Sequence, residues 1–316
     1  MEGAAVPTPD ISVRLCDIAM ANPTVLASGV LGVSRDLLHR VADCGVGAAV
    51  IKSVTVAPRE GHHNPTVVAY EAGMLNAVGY SNPGMEEAAR EFAGVGELPI
   101  PIIASAVGQR AEDFARVAEA LMPCGFAAVE LPLSCPHTPG YGTLAGHATP
   151  EATESITRAV RQVTDRPIFV KLTPNVPGIG ELALAAVEGG ADGISAVNTL
   201  GPGMIINVKA REPVLDFRMG GVSGPALRPV AVRCVYDVAT ALRQAGHETP
   251  IIGVGGVATG RDALEMIMAG AHAVGVGTAV YNRGIEVFAQ IAAELSDLCA
   301  RLRIVSLDEV RGCAIE

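Results

Sequence analysis

A cysteine at the end of an apolar run is the residue of this sequence whose setting most directly suggests chemistry. Cys135 closes the run LPLSC and is followed at once by the proline- and glycine-rich stretch PHTPGYG. A thiol acts as a base or nucleophile only where its surroundings favour the thiolate. Cys135 is therefore either a buried thiol at a strand end or a reactive group on a loop that closes over a site.

Lysine is rare in this chain, where only Lys52, Lys171 and Lys209 occur. The first two end the apolar runs AAVIKSV and PIFVKLTP. A buried ammonium at such a position needs an anion or a hydrogen-bonding ligand, because an uncompensated buried charge is very costly. The alternative is an ion pair with a carboxylate on a neighbouring strand, for which Glu130 is the candidate.

Glycine-rich stretches follow the last two apolar runs, at 253–263 (GVGGVATGRDA) and 275–281 (GVGTAVY). Glycine lets backbone N–H groups approach a phosphate beside a helix N-terminus, so these stretches predict a phosphate-bearing ligand. Tight packing of the turns is the alternative. A third stretch, GMLNAVGYSNPG, carries Asn76 and Asn82 around Gly79. Amides both donate and accept hydrogen bonds, which suits a planar ligand, although an Asn-rich turn would look the same.

Eight apolar runs bounded by glycine and proline alternate with helical patterns. Runs of this kind are typical of parallel strands buried on both faces, and they lie at 24–29, 48–54, 101–107, 127–134, 167–174, 193–199, 250–256 and 273–278. Helical patterns include 110–125, 149–165 and 225–244, the second with a Thr149-Pro150 N-cap signal.

These units predict a single-domain α/β fold, a (β/α)8 TIM barrel spanning residues 1–316. We expect a small hairpin at 11–23 under the barrel and an insertion at 201–224 after the sixth strand. A doubly wound sheet would need the GxGxxG spacing after its first strand, and SGVLGVS at 28–34 lacks it.

Composition narrows the class of protein. A net charge of -10 argues against a nucleic-acid partner. Seven scattered cysteines without a CxxC pair indicate reduced thiols rather than disulfides or a metal site. The N-terminus lacks a signal-peptide pattern, and no apolar run approaches the ~20 residues that span a bilayer. We therefore expect a soluble cytoplasmic protein with neither membrane nor metal partner.

As a set, the strand-end motifs resemble class 1 dihydroorotate dehydrogenases, FMN-dependent barrels of pyrimidine biosynthesis, over residues 12–285. The motifs are NPTVLASG, IKSVTVAPREG, GMLNAVGYSNPG, ELPLSCPH, VKLTPN, AVNTLGPG, GGVSGPALRPVAVR and GVGGVATGRDALEMIMAGAHAVGVGTA. The SCP-containing loop is similar to that of the B-type enzymes, which work with an iron–sulfur flavoprotein partner. The resemblance implies a homodimer, with NAD reached only through an iron–sulfur/FAD electron-transfer subunit.

The resemblance also implies roles for individual residues. FMN would be bound by Ala27, Ser28, Gly29, Lys52, Ser53, Asn76, Lys171, Asn198, Gly224, Gly255, Gly256, Gly277 and Thr278. The substrate, dihydroorotate, would be bound by Lys52, Asn76, Val78, Gly79, Tyr80, His137, Asn198 and Thr199. Cys135 would be the general base, helped by Lys52, Ser134 and His137. It would take a proton from one ring carbon while the neighbouring carbon delivers a hydride to flavin N5.

Three positions depart from the family pattern. Pro132 and His137 stand where the family usually has asparagine, and Tyr80 stands where an aliphatic residue is usual. Proline offers neither a side-chain donor nor an N–H. The changes leave open that the same flavin chemistry acts on a related substrate. That substrate would be another cyclic amide, another dihydropyrimidine or a compound with an activated C–C double bond. Two further alternatives remain, a non-redox barrel holding a phosphorylated substrate and a flavin-binding partner subunit or pseudoenzyme.

Overall fold

The computed structural model of the chain describes residues 8–133 and 148–316. Its strands are β1 (Val13–Leu15), β2 (Ile18–Met20), β3 (Thr24–Leu26), β4 (Ala48–Val50), β5 (Val67–Tyr70), β6 (Gly73–Asn76), β7 (Ile102–Ser105), β8 (Ala128–Pro132), β9 (Ile168–Leu172), β10 (Gly193–Ala196), β11 (Leu200–Gly203), β12 (Ile206–Asn207), β13 (Glu212–Pro213), β14 (Gly220–Ser223), β15 (Ile251–Val254) and β16 (Ala273–Val276). Its helices are α1 (Arg35–Asp43), α2 (Met85–Glu91), α3 (Ala111–Leu121), α4 (Pro150–Arg161), α5 (Ile179–Glu188), α6 (Arg228–Gln244), α7 (Gly260–Met268), α8 (Ala279–Arg283) and α9 (Val287–Leu302).

Eight of these strands close into a parallel barrel, in the order β3, β4, β7, β8, β9, β10, β15, β16 and back to β3. They are the eight strands that the apolar runs predict, so the (β/α)8 barrel is confirmed. Strands such as β9, whose sequence is IFVKL, are buried along their whole length because helices cover the outside and side chains fill the inside.

The barrel strands end two to four residues earlier than the apolar runs predict. β10, for example, ends at Ala196 rather than at residue 199. Backbone hydrogen bonds continue past its end, from Val197 N to Val254 O at 2.8 Å and from Asn198 N to Leu172 O at 2.8 Å. Residues beyond the regular ladder are therefore still held by the barrel, although they no longer count as strand.

The predicted helix signals and the predicted hairpin are also present. Thr149 Oγ1 accepts a hydrogen bond from Ala152 N at 3.3 Å and caps α4, as its sequence predicts. β1 and β2 form an antiparallel hairpin. Met20 packs beside Gly47, just before β4, so the hairpin lies at the amino end of the barrel. Among the described residues, no helix has the length and apolar character that crossing a membrane requires.

A second sheet lies outside the barrel, and sequence reasoning only partly anticipated it. Its antiparallel order is β11, β14, β6, β5, so the predicted insertion at 201–224 pairs with β6, which in turn pairs with β5. The pattern GMLN indicates a loop, yet it forms β6 because β14 and β5 supply partners on both sides. A small core of Leu75, Ala77 and Leu215 packs behind this sheet.

Candidate active site at the carboxyl end of the barrel

A cavity of about 490 Å³ opens where the carboxyl ends of the barrel strands meet the outer sheet. This volume is typical of a pocket for a small molecule or cofactor. Every predicted site residue that the structure describes lines it: Ala27, Ser28, Gly29, Lys52, Ser53, Asn76, Val78, Gly79, Tyr80, Lys171, Asn198, Thr199, Gly224, Gly255, Gly256, Gly277 and Thr278. The predicted residues Ser134, Cys135 and His137 lie outside the described residues.

Two lysines give the cavity its charge. Lys52 follows β4 and Lys171 lies in β9, and they are the only charged side chains among the described residues that line the cavity. Lys171 is 6% exposed, and its Nζ lies 3.4 Å from Oε1 of Glu130. The ion pair considered from sequence is thus present for Lys171, which nevertheless also reaches the cavity wall. Two ammonium groups without a lining carboxylate favour an anionic ligand.

Hydroxyl groups from three neighbouring strands form a row beside Lys52. Ser28 Oγ donates to Ile51 O at 2.8 Å and lies 3.3 Å from Ser53 Oγ, which lies 2.9 Å from Ser105 Oγ. Ser105 is fully buried, whereas Ser28 and Ser53 line the cavity. These contacts fix the serine rotamers, so the wall here is polar and ordered.

The glycines at the ends of the last two barrel strands differ in what a side chain at their positions would contact. Gly255 and Gly256 have φ of 140° and 74°, and a Cβ on them would lie 2.6 Å from Ala231 Cβ and 2.7 Å from Arg228 Cβ. Tight packing, the alternative considered above, therefore explains these two. Gly277 is not so constrained, because among residues 8–133 and 148–316 the only atom within 4 Å of its Cβ position is Ala27 Cβ at 3.7 Å. A side chain at 277 would instead take space from the cavity.

The two asparagines of the stretch at 73–84 have separate roles. Asn76 lines the cavity and donates from Nδ2 to Gly221 O at 3.2 Å. Asn82 does not line it. Its Oδ1 accepts from Thr55 N at 3.1 Å, and its Nδ2 donates to Tyr80 O at 2.7 Å. Of the two alternatives that the sequence leaves open, the turn describes Asn82, whose hydrogen bonds hold the loop in place.

Several lining residues were missed from sequence. Ser223 is one, and its Oγ accepts a hydrogen bond from Thr278 Oγ1 at 2.9 Å. Its position directly before Gly224 in GGVSGP was the available signal. Val67 and Met74 also line the cavity because β5 and β6 fold over it. No local pattern identifies them, since the outer sheet depends on pairing with the distant β14.

The described thiols are not candidates for a base in this cavity. Burial raises the pKa of Cys16 to about 11 and that of Cys234 to about 11, with smaller contributions from nearby carboxylates. Burial also raises the pKa of Cys124 and of Cys299. None of the four lines the cavity, and no carboxylate, imidazole or thiol is found among its described lining residues.

Comparison with known proteins agrees with this geometry. The family model described as dihydroorotate dehydrogenase matches residues 10–299. The chain is 43% identical, over 97% of its length and 99% of the relative's, to a Pyrococcus abyssi protein named dihydroorotate dehydrogenase B (NAD(+)), catalytic subunit. A protein of the same name from Methanocella arvoryzae is 45% identical, over 94% of this chain and 95% of its own length. Another from Methanocaldococcus jannaschii is 38% identical, over 97% of this chain and 98% of its own length.

Proposed function

Because the chain belongs to the dihydroorotate dehydrogenase family, we propose that it oxidises (S)-dihydroorotate to orotate in pyrimidine biosynthesis, with FMN bound in the cavity. The observation that carries this proposal is the convergence of the barrel strand ends on one cavity whose only charged lining groups, among the described residues, are Lys52 and Lys171. Dihydroorotate carries a carboxylate and FMN a phosphate, so both ligands suit such a cavity.

The cavity wall fits a flavin and its phosphate. Flavin dependence is a property of the family. Gly277 leaves open space at the end of β16, where the Thr278 hydroxyl lies beside Ser223, and we assign the phosphate to this place. Lys52, Asn76 and Asn198 offer ammonium and amide groups that match the carbonyl and N–H groups of the flavin ring. Bound FMN would supply the acceptor for the hydride that leaves the substrate.

The substrate would lie against Val78, Gly79 and Tyr80, with the Asn198 and Thr199 side chains completing its hydrogen bonds. This loop is held rigidly. His62 N donates to Val78 O at 3.0 Å, and the His62 ring stacks on Phe217 with centroids 4.0 Å apart. A loop fixed in this way orients the substrate before reaction, which removes part of the entropic barrier.

We assign the general base to Cys135, assisted by Ser134 and Lys52, with His137 beside the substrate. The assignment follows the family resemblance, and it agrees with a set of described lining residues that contains no carboxylate, imidazole or thiol. Pro132 lines the cavity, and Cys135 follows it by three residues, which an extended chain spans in at most about 11 Å. Cys135 would take the proton from the substrate carbon next to the carbon that gives up the hydride.

We further propose a cytoplasmic homodimer that passes electrons to an iron–sulfur/FAD subunit and from there to NAD. The names of the similar archaeal proteins, which are called catalytic subunits of an NAD(+) enzyme, support a partner subunit and NAD as the acceptor. The seven cysteines of this chain include no CxxC pair. An iron–sulfur centre is therefore assigned to the other chain.

One observation favours a second candidate substrate. Pro132 is part of the cavity wall and has neither a side-chain donor nor an N–H to offer a ligand. A site that lacks one hydrogen-bond partner discriminates less well between related substrates. The second candidate is therefore the same flavin chemistry on another dihydropyrimidine or cyclic amide.

The test is to mix the purified holoprotein with L-dihydroorotate under anaerobic conditions and follow the flavin absorbance. We expect rapid bleaching, slowed by about 10²- to 10⁴-fold in Cys135→Ser, because that is the usual contribution of a general base. Cys313→Ser, which removes an exposed thiol that does not line the cavity, is the matched control and should bleach like the wild type.

Each other outcome contradicts a distinct part of the proposal. A protein without bound flavin would overturn the cofactor assignment. Bleaching by another dihydropyrimidine but not by dihydroorotate would replace the first substrate by the second candidate. Equal bleaching rates in Cys135→Ser and Cys313→Ser would show that Cys135 is not the general base.

A further inference from the structure

Three polar side chains are buried together on three adjacent barrel strands. Glu130 on β8 is 2% exposed, Lys171 on β9 is 6% exposed, and Ser195 on β10 is fully buried. Lys171 pairs in register with Ser195 on one side and with Pro132 on the other. Glu130 therefore lies two residues before Pro132 on β8, on the same face of that strand.

Both oxygens of the Glu130 carboxylate are engaged. Oε1 lies 3.4 Å from Lys171 Nζ, and Oε2 accepts a hydrogen bond from Ser195 Oγ at 2.8 Å. The serine fixes the orientation of the carboxylate, and the carboxylate faces the ammonium. The 3.4 Å separation is long for a hydrogen bond, so the attraction between the two charges contributes most to this contact.

Lys171 joins this buried network to the cavity. It is part of the cavity wall, whereas Glu130 and Ser195 are not among the lining residues. An ammonium group has three hydrogen-bond donors. Among residues 8–133 and 148–316, its hydrogen-bond acceptor is Glu130 Oε1, which leaves donors for a ligand in the cavity. A charge so deeply buried would be very unfavourable without the carboxylate behind it.

We propose that Glu130 is a positioning residue that, oriented by Ser195, holds the charged Lys171 side chain at the cavity wall and so sets the affinity and midpoint potential of the bound flavin. Glu130 does not line the cavity, so it would act on a bound flavin only through Lys171. The inference rests on the proposed binding of FMN and assigns a task to a carboxylate that the proposed reaction does not use.

The test is a double-mutant cycle on FMN affinity and on the midpoint potential of the bound flavin, neither of which requires turnover. Glu130→Gln keeps the shape of the side chain and removes its charge. We expect it to weaken FMN binding about tenfold and to lower the midpoint potential, because without the carboxylate the Lys171 ammonium is no longer held at the cavity wall. Lys171→Met should act in the same direction with an effect at least as large.

The Lys171→Met background tests whether Glu130 acts through Lys171. There Glu130→Gln should no longer weaken FMN binding, because the ammonium through which Glu130 acts is gone. Equal weakening in both backgrounds would show that Glu130 acts through the fold at large, and it would overturn the proposal. No weakening in the wild-type background would overturn it as well.

Ser195→Ala keeps the proposal testable if Glu130→Gln does not fold. It removes only the hydroxyl that orients the carboxylate, and we expect FMN to bind about threefold more weakly. In the Lys171→Met background, Ser195→Ala should not weaken FMN binding further. Thr24→Val is the matched control, since Thr24 is also a fully buried hydroxyl on a barrel strand but does not line the cavity. It should leave FMN affinity unchanged, and a threefold loss there would overturn the assignment.

The outcomes separate this inference from the proposed function. A wild-type protein that binds no FMN would overturn both proposals. A protein that binds FMN and is reduced by dihydroorotate, but whose affinity and potential do not respond to Glu130→Gln or Ser195→Ala, would overturn this inference alone.

Discussion

Around Asp192, at the amino end of the barrel, polar groups are paired within the chain, whereas at the carboxyl end polar groups line a cavity. At the amino end, Asp192 Oδ2 accepts from Arg161 at 2.8 Å and from Ile168 N at 2.9 Å, and Arg161 also donates to Thr164 O at 2.7 Å. At the carboxyl end, Lys52, Asn198 and other polar side chains line about 490 Å³ of space.

The difference separates stability from function. Groups whose partners all belong to the chain hold the barrel together, while groups that face a cavity can exchange partners when a ligand enters. TIM barrels generally divide their two ends in this manner. Substitutions at the amino end should therefore change the free energy of unfolding, and substitutions at the carboxyl end should change ligand binding.

A large loss of stability is expected from a substitution at Gly193, the first residue of β10. A Cβ there would lie 2.2 Å from a ring carbon of Phe169, which is fully buried and cannot move aside. We expect Gly193→Ala to lower the free energy of unfolding by about 3 kcal/mol, as overpacked cores do, with unchanged FMN affinity of the folded protein. Urea unfolding would measure the stability, and FMN titration would measure the affinity. A variant of normal stability with weakened FMN binding would contradict the division between a stabilising amino end and a ligand-binding carboxyl end.

Acid should lower the free energy of unfolding through a histidine at the amino end, by somewhat less than Gly193→Ala does. Burial, reinforced by Arg311 and opposed by Asp308, lowers the pKa of His272 to about 4. Its Nδ1 accepts from Ile251 N at 3.2 Å, so the folded ring is neutral. Because the unfolded chain binds a proton near pH 6.5 and the folded one does not, stability is full above that pH and falls as the pH drops toward 4.

We expect the free energy of unfolding to drop by about 2 kcal/mol between pH 7 and pH 5 on account of His272. His272→Asn keeps an acceptor near the Nδ1 position and removes the titration. The difference between wild type and variant, measured by urea unfolding at both pH values, isolates this residue from every other group. Equal pH dependence in the two proteins would show that His272 is not the source.

The smallest effect concerns the carboxyl end and should appear only in binding. Gly277→Ala places a methyl group at the cavity wall, where Ala27 Cβ at 3.7 Å is its nearest neighbour in the part of the chain that the structure describes. We expect FMN affinity to fall about tenfold, or roughly 1.4 kcal/mol, while the free energy of unfolding of the apoprotein stays the same. Unchanged FMN affinity would place the phosphate elsewhere.

The positions of strand-end residues were predictable because parallel strands point the same way. Once eight apolar runs are read as barrel strands, residues such as Lys52, Asn198 and Gly277 must lie at one end. The roles of neighbours in the same stretch were not predictable. Asn76 and Asn82 look equivalent in sequence, yet only Asn76 lines the cavity, because Asn82 is committed to Thr55 and Tyr80.

The sequence by itself determined the barrel, the end at which the polar residues gather and the family to which they belong, because these follow from local apolar runs and from short motifs. Tertiary structure alone decided which groups meet. The triad of Glu130, Lys171 and Ser195 joins three strands through side chains of widely separated residues, and β14 pairs with β6 across more than a hundred residues. Such contacts depend on barrel closure and strand register, which no local stretch of sequence encodes.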